Sequence, residues 1–235
     1  MVTALLLIAL SSPAHAWSVK TSSAGDPLRW MTFPVSFVVN PSNSQGLDED
    51  AVLNVVRTAA EQWTGEMDLP LAFDFGGPSG MATADYQDSA NAVYFEDNWP
   101  SDWDSGFLAL TFTWSVDGGE IIAFDMAINE QFDWTLKPDE QSHDLANALT
   151  HEFGHVVGMG HSEVFEATMY ADSQVGDTKK QDLAQDDLDG LRYLYTGIEM
   201  QPEWACATGN VQPISFVGLF GLAGAIGLRR RRARP

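Results

Sequence analysis

Three of the chain's five histidines lie within eleven residues, in the segment HEFGHVVGMGH at 151–161. If this segment is helical, His151 and His155 project from one face about one turn apart, and two imidazoles at that spacing can bind one zinc ion. Gly158 can take a positive φ and end the helix, so that the chain turns and His161 supplies a third ligand. Three protein ligands leave a fourth zinc position open for water, as in catalytic zinc sites.

Glu152 lies between the first two histidines but is offset around the helix, beside the metal rather than bonded to it. A carboxylate in that position is suited to act as a general base. The full pattern H-E-x-x-H-x-x-G-x-x-H has five fixed positions and is far more specific than H-E-x-x-H alone. Three histidines serving only a core are a weaker alternative, because each buried ring would need polar partners. The segment predicts one catalytic zinc ion with the ligands His151, His155 and His161.

The rest of the chain must supply the elements that position this segment. Alternating apolar residues predict strands at 33–40, 71–75, 92–95, 107–114 and 121–129. Periodic apolar residues and caps predict helices from Asp48 to about Thr64, from about Asp144 to Gly158, and over Asp182–Tyr195. Strands with one helix, followed by two helices, indicate a single α+β layered domain.

Charge and cysteine content exclude some classes of protein. The formal net charge is -21, and five of the 12 basic residues lie among the last seven positions, so the body carries seven basic against 33 acidic residues. Such a surface repels nucleic acid, and we expect no nucleic-acid binding. Because Cys206 is the single cysteine, no internal disulfide can form and packing must hold the core together. We expect a monomer.

The N-terminal sequence MVTALLLIALSSPAHA predicts a secretory signal peptide over residues 1–16. An apolar run from Ala4 to Leu10 is followed by small residues that end in Ala14-His15-Ala16, an A-x-A cleavage site. Cleavage there would leave Trp17 as the new N-terminus. A short buried helix is the alternative interpretation.

The C-terminal part, 199–235, is predicted to be a linker and a sorting or transmembrane tail. Eighteen uncharged residues, VQPISFVGLFGLAGAIGL, precede RRRRARP, and that length barely spans a bilayer. The order of a lone Cys206, a spacer with Pro213, a short apolar run and clustered arginine resembles the Myxo-type C-terminal sorting signals of some Gram-negative bacteria. This resemblance implies processing near the cysteine and surface display. A simple membrane anchor, with Cys206 as an idle thiol, is the alternative.

The segment between these ends, 17–198, resembles the catalytic domain of matrixin metallopeptidases. The zinc motif followed by a methionine is typical of metzincins, and Ser162 with ATMY, which contains Met169, is similar to the matrixin branch. LAQDDLDGLRYLYTG resembles the matrixin closing helix, DLANALTHEFGH the active-site helix, and GFLALTFTW with GEIIAFD the edge strand and its neighbour. The likeness covers roughly residues 30–197.

The resemblance implies a zincin fold, in which a twisted five-stranded mixed sheet lies above an active-site helix and a C-terminal helix closes the domain. It implies a zinc endopeptidase that binds extended protein substrates along the edge strand at 107–114. Glu152 would be the general base, and Met169 would form an apolar floor under the metal. With the signal peptide, this predicts an exported enzyme, extracellular or on the cell surface, that contacts membrane only through its tail.

The sequence departs from the matrixin pattern at several positions. Leu110 occupies the place of an edge-strand histidine that helps bind a structural zinc in animal matrixins, so we predict a single zinc ion. Asp125 matches a position that often binds Ca²⁺ in the family, but a single carboxylate favours the alternative, an ordinary solvated aspartate. Cys206 follows the catalytic region and cannot act as a propeptide inhibitor of the matrixin kind.

Two other functions remain open from sequence alone. A catalytically weak surface binding protein could retain the fold, although nothing would then preserve Glu152 and all three histidines. A zinc hydrolase acting on other bonds could use the same site chemistry, although the edge strand and closing helix favour peptide substrates.

Overall fold

The computed structural model describes residues 16–64, 69–85, 87–88, 90–196 and 229–230. The predicted signal peptide, apart from Ala16, and nearly all of the predicted tail therefore lie outside the described residues. Within the described ranges, no helix is both long and apolar enough to cross a bilayer.

Among the residues that the structure describes, five strands form one mixed sheet, and their order is β2-β1-β3-β5-β4. The strands are β1 (Val35–Asn40), β2 (Phe73–Pro78), β3 (Ala92–Glu96), β4 (Ala109–Ser115) and β5 (Ile121–Asn129). Strands β2, β1, β3 and β5 run parallel, and β4 is antiparallel to β5 at the edge of the sheet. The predicted α+β class and the five-stranded mixed sheet are thereby confirmed.

In the described part of the chain, three α-helices accompany the sheet: α1 (Glu49–Gln62), α2 (Leu145–Val156) and α3 (Gln185–Tyr195). Side-chain caps begin the first two, because Asp48 accepts from Ala51 N at 2.9 Å and Asp144 accepts from Asn147 N at 2.7 Å. Helix α3 begins three residues later than the predicted start at Asp182, which is extended, with φ -118° and ψ 138°, after a 3₁₀ turn at Lys179–Gln181.

Short strands complete the assignment. Strand β6 (Trp134–Thr135) pairs in parallel with β7 (His143–Asp144), and β8 (Asp172–Ser173) pairs in parallel with β9 (Arg229–Arg230). None of these two-residue pairings is predictable from periodicity, since two residues carry no pattern.

Aromatic packing holds α2 under the sheet. The Phe153 ring of α2 lies 5.5 Å from Phe37 of β1 and 6.2 Å from Phe124 of β5, measured between centroids. Helix α1 packs beside α2, where Trp63 donates from Nε1 to the Thr150 carbonyl at 2.8 Å. Because these large side chains are almost completely buried, α2 has a defined position below the sheet.

The N-terminal segment 16–30 fastens the end of α2. Lys20 N donates to the Gly158 carbonyl at 2.8 Å, and Gly160 N donates to the Ser18 carbonyl at 2.8 Å. Trp30 Nε1 donates to the Val156 carbonyl at 2.9 Å. The residues just after the predicted signal peptide thus support the turn that follows the helix.

Candidate metal centre

Helix α2 and the turn after it bring three imidazoles together. One ring nitrogen from each of His151, His155 and His161 lies within 4.8 Å of the others. The turn depends on Gly158, whose φ is +95° and whose site would place a Cβ 2.1 Å from the Leu28 carbonyl oxygen. Only glycine fits there, because any side chain would meet both a strained backbone and a backbone atom.

Hydrogen bonds set the orientation of two of the rings. The Nδ1 atom of His151 is 2.7 Å from the Thr168 carbonyl oxygen, and Nδ1 of His155 is 2.9 Å from the Met159 carbonyl oxygen. Since a carbonyl can only accept, each Nδ1 carries the proton and each Nε2 keeps its lone pair.

The three Nε2 atoms face a site that suits a metal ion. All are buried and have no hydrogen-bond partner among the described residues. Burial is the main cause that holds the pKa of His151 and His155 well below the usual value, and it lowers the pKa of His161 to about 4. Three neutral imidazoles with converging lone pairs form a donor set that fits one zinc ion.

Glu152 is fully buried and lies directly below the edge strand. Its Oε2 accepts a hydrogen bond from Thr111 Oγ1 at 2.7 Å. Thr113, two residues further along β4, accepts from Lys20 Nζ at 2.5 Å. Burial lowers the pKa of Lys20 to about 8, although the negative charge of Glu152 opposes this shift. Sequence analysis identified Glu152 but missed both threonines and Lys20.

Met169 packs against α2 at Gly154. A Cβ at Gly154 would lie 2.2 Å from Met169 Sδ and 2.6 Å from the Trp63 ring. Gly154 is one of the variable positions of the zinc motif, and the motif gives no reason to expect glycine there. The close approach of the thioether supplies that reason.

Helix α3 holds the segment that contains Met169. Asp187, in the first turn of α3, accepts from Thr168 N at 2.8 Å and from Met169 N at 3.0 Å. The carbonyl of the same Thr168 orients His151, so α3 supports the metal centre through one residue. Burial raises the pKa of Asp187. Asp187 is fully buried, whereas the neighbouring Leu188 is half-buried.

Lys180 is a second buried cation beside the histidines, and sequence analysis missed it. Its Nζ lies 3.3 Å from Nδ1 of His151 and donates to the Tyr170 carbonyl. Burial lowers the pKa of Lys180 to about 7. In sequence, Lys179-Lys180 resembles an ordinary solvated pair, so no local signal indicated this position.

The chain matches the matrixin family over residues 29–196. It belongs to the matrixin family. Similar relatives include matrix metalloproteinase-25 of Homo sapiens, 33% identical over 66% of this chain and 27% of that protein. Metalloendoproteinase 1 of Glycine max is 30% identical over 72% of this chain and 53% of its own length. Neutrophil collagenase of Homo sapiens is 28% identical over 76% of this chain and 35% of that protein. This matrixin thus spans from about a quarter to about half the length of these relatives.

Two further positions of this matrixin concern metals other than the catalytic ion. Leu110 is fully buried on the outer face of the sheet, in a cluster with Tyr94, Trp99 and Phe112. The alternative of a solvated Asp125 is wrong, because its oxygens are buried and accept from the backbone N–H groups of Ala92 and Asp85 at 2.8 and 3.0 Å. Burial raises the pKa of Asp125 to about 7.

Proposed function

We propose that this matrixin is a zinc-dependent endopeptidase that hydrolyses peptide bonds in extended protein substrates. One observation carries the proposal: three neutral imidazoles, of which His151 and His155 are fully buried, present buried Nε2 atoms to one site, and the next residue to His151 is a buried glutamate. This combination supports metal-assisted hydrolysis. At a purely structural site, four protein ligands would instead fill all the coordination positions of the zinc ion.

Each residue has a defined task in this proposal. His151, His155 and His161 would hold the metal, and Met169 would form an apolar floor beneath them. A zinc ion bound there would supply Lewis acidity and make a water molecule acidic enough to react near neutral pH. Glu152 accepts the proton of the attacking water and passes it to the nitrogen of the leaving amine.

Strand β4 provides the surface for substrate. It is the edge of the five-stranded sheet, and among the described residues it pairs with β5 alone, so its other edge can accept a further strand. Main-chain hydrogen bonds to such a strand depend little on side chains, which favours cleavage within extended polypeptides.

The test is cleavage of casein or gelatin by the purified full-length protein, with zinc content measured on the same sample. One zinc per chain is expected, with proteolysis that a chelator abolishes and added zinc restores. A protein that binds zinc but cleaves no peptide bond would favour the binding-protein alternative. Cleavage that is indifferent to the chelator would refute a metal-dependent mechanism.

We further propose that the chain is exported and trimmed at both ends. The support is the sequence alone: a predicted signal peptide at 1–16, and a tail at 199–235 with the features of a sorting signal. The mature protein should begin at Trp17 and end close to Cys206. Intact mass spectrometry of protein from its native host tests this, and a mature surface protein that keeps the arginine cluster would count against processing.

A further inference from the structure

Strand β4 directs two hydroxyl groups toward the metal centre. Its side chains alternate: Leu110 and Phe112 lie in the outer cluster, while Thr111 and Thr113 contact Glu152 and Lys20 on the inner face. Thr111 is completely buried. A hydroxyl at this depth must find a polar partner, and the partner here is the glutamate next to a metal ligand.

The geometry identifies which Glu152 oxygen the hydroxyl engages. Thr111 Oγ1 is 2.7 Å from Oε2 and 3.4 Å from the Glu152 main-chain oxygen. A hydroxyl has one hydrogen, and an ionised carboxylate only accepts, so Thr111 donates along the shorter contact. A hydrogen bond with a charged acceptor is stronger than one between neutral groups.

We infer that Thr111 is a positioning residue, which holds the Glu152 carboxylate in one orientation for proton transfer. The last torsion of a glutamate side chain is broad, and without a partner the carboxylate plane would rotate. A donor on Oε2 fixes that plane. Because Thr111 belongs to the strand proposed to bind substrate, the same contact ties the base to the substrate-binding edge. This inference rests on the proposed peptidase function.

The first experiment compares variants of the full-length protein. Thr111→Val keeps the shape but removes the hydroxyl, and we expect kcat to fall about tenfold with KM and zinc content unchanged. Thr111→Ser keeps the hydroxyl and should restore most of kcat. The matched control is Thr150→Val, which removes a buried hydroxyl one residue from His151 that donates only to the Ala146 carbonyl. It should leave kcat within about twofold of wild type.

Several results would overturn the inference. These are a Thr111→Val enzyme with wild-type kcat, an equal loss in Thr111→Ser, or an equal loss in the Thr150→Val control. Loss of zinc together with activity would assign Thr111 a structural role instead. If Thr111→Val does not fold, Thr111→Ala must show the kcat loss that Thr111→Ser avoids.

A second measurement does not need activity and separates this inference from the proposed function. Thr111→Val is placed in the wild-type chain and in a Glu152→Ala chain, and urea midpoints are compared. If the hydrogen bond exists, Thr111→Val lowers the midpoint in the first background and not in the second. Equal shifts would refute the contact. If the wild type is inactive but Thr111→Val lowers the midpoint only when Glu152 is present, the peptidase proposal is refuted and the contact is established.

Discussion

The two faces of the sheet differ in how they are stabilised. The inner face covers the metal centre and buries polar groups, among them Thr111, Glu152 and Lys20, each with a specific hydrogen bond. The outer face buries a cluster of apolar and aromatic side chains around Leu110. The outer ring centroids are close, with Trp99 4.9 Å from Trp103.

The difference shows how one strand serves two purposes. Neighbouring residues of β4 point to opposite faces, so Leu110 belongs to the apolar cluster and Thr111 to the metal centre. Buried polar groups are expensive unless they are paired, and they are concentrated on the side where chemistry requires them. The outer face secures the loop before β4 through Trp99 and Trp103. Leu110 packs in the same cluster, and its side chain offers no atom that could bind a metal.

Loss of a metal ligand should produce the largest effect, and it would show that the zinc site lies on the inner face. Replacing His151, His155 or His161 with alanine should abolish zinc binding, since two remaining imidazoles cannot hold the ion tightly. Metal analysis of the wild type should give one zinc per chain. Two tightly bound zinc ions would contradict our interpretation of Leu110.

Glu152→Gln should separate catalysis from zinc binding at the inner face. We expect kcat to fall at least about a hundredfold, the usual scale for loss of a general base, while one zinc stays bound and the melting temperature stays close to that of wild type. Steady-state cleavage of a peptide substrate measures the first quantity. Near-normal turnover would refute the assigned role of Glu152.

Leu110→Ala tests the outer face by itself. Truncation of a fully buried leucine should reduce the free energy of unfolding by about 3 kcal/mol, through lost burial and the cavity left behind. Zinc content and kcat should be unchanged at temperatures where the variant is folded. Urea denaturation gives the stability, and loss of zinc from the folded variant would show that the two faces are coupled.

The smallest expected effect is the change with pH in the stability of the metal-free protein. The pKa of folded His161 is lowered to about 4, below the value near 6.5 expected when unfolded. Between these values the unfolded chain binds the extra proton, so stability falls as pH drops from about 6.5 toward 4. For this partly exposed ring we expect a loss of about 2 kcal/mol. Urea titrations in chelator at several pH values measure it.

The matched control for the pH experiment is His161→Gln, which should lose part of this dependence. The outer-face variant Leu110→Ala should instead keep the full dependence from a lower starting stability. An identical pH profile in wild type and His161→Gln would contradict the proposed burial of a neutral ring.

Helix α2 shows what was accessible from sequence. Its start near Asp144 was predicted correctly, and its end was predicted two residues late, at Gly158 instead of Val156. Both signals lie next to the residues they affect. The start of α3 was predicted three residues early, since apolar periodicity cannot distinguish a 3₁₀ turn from the first turn of a helix. The burial of Asp187 was not predicted, because a buried carboxylate is unexpected until its three backbone donors are known.

The groups around the site were inaccessible for a different reason. Thr111 and Glu152 are 41 positions apart, and Lys180 and His151 are 29 apart. Nothing in either segment indicates its partner. The same holds for Gly154. A side chain there would collide with Met169 and Trp63, and both are distant in sequence.

The sequence by itself was enough to predict the three histidines as metal ligands, the glutamate beside them and the helix that carries them. Helical spacing and a turn glycine are local properties of the eleven residues at 151–161, so the chemistry can be inferred before the fold is known. Only the tertiary structure decided what surrounds that site: a threonine on the glutamate, an aspartate on the methionine segment, and two buried lysines. Those contacts join distant segments, and burial, which changes their pKa values, exists only when the segments are packed together.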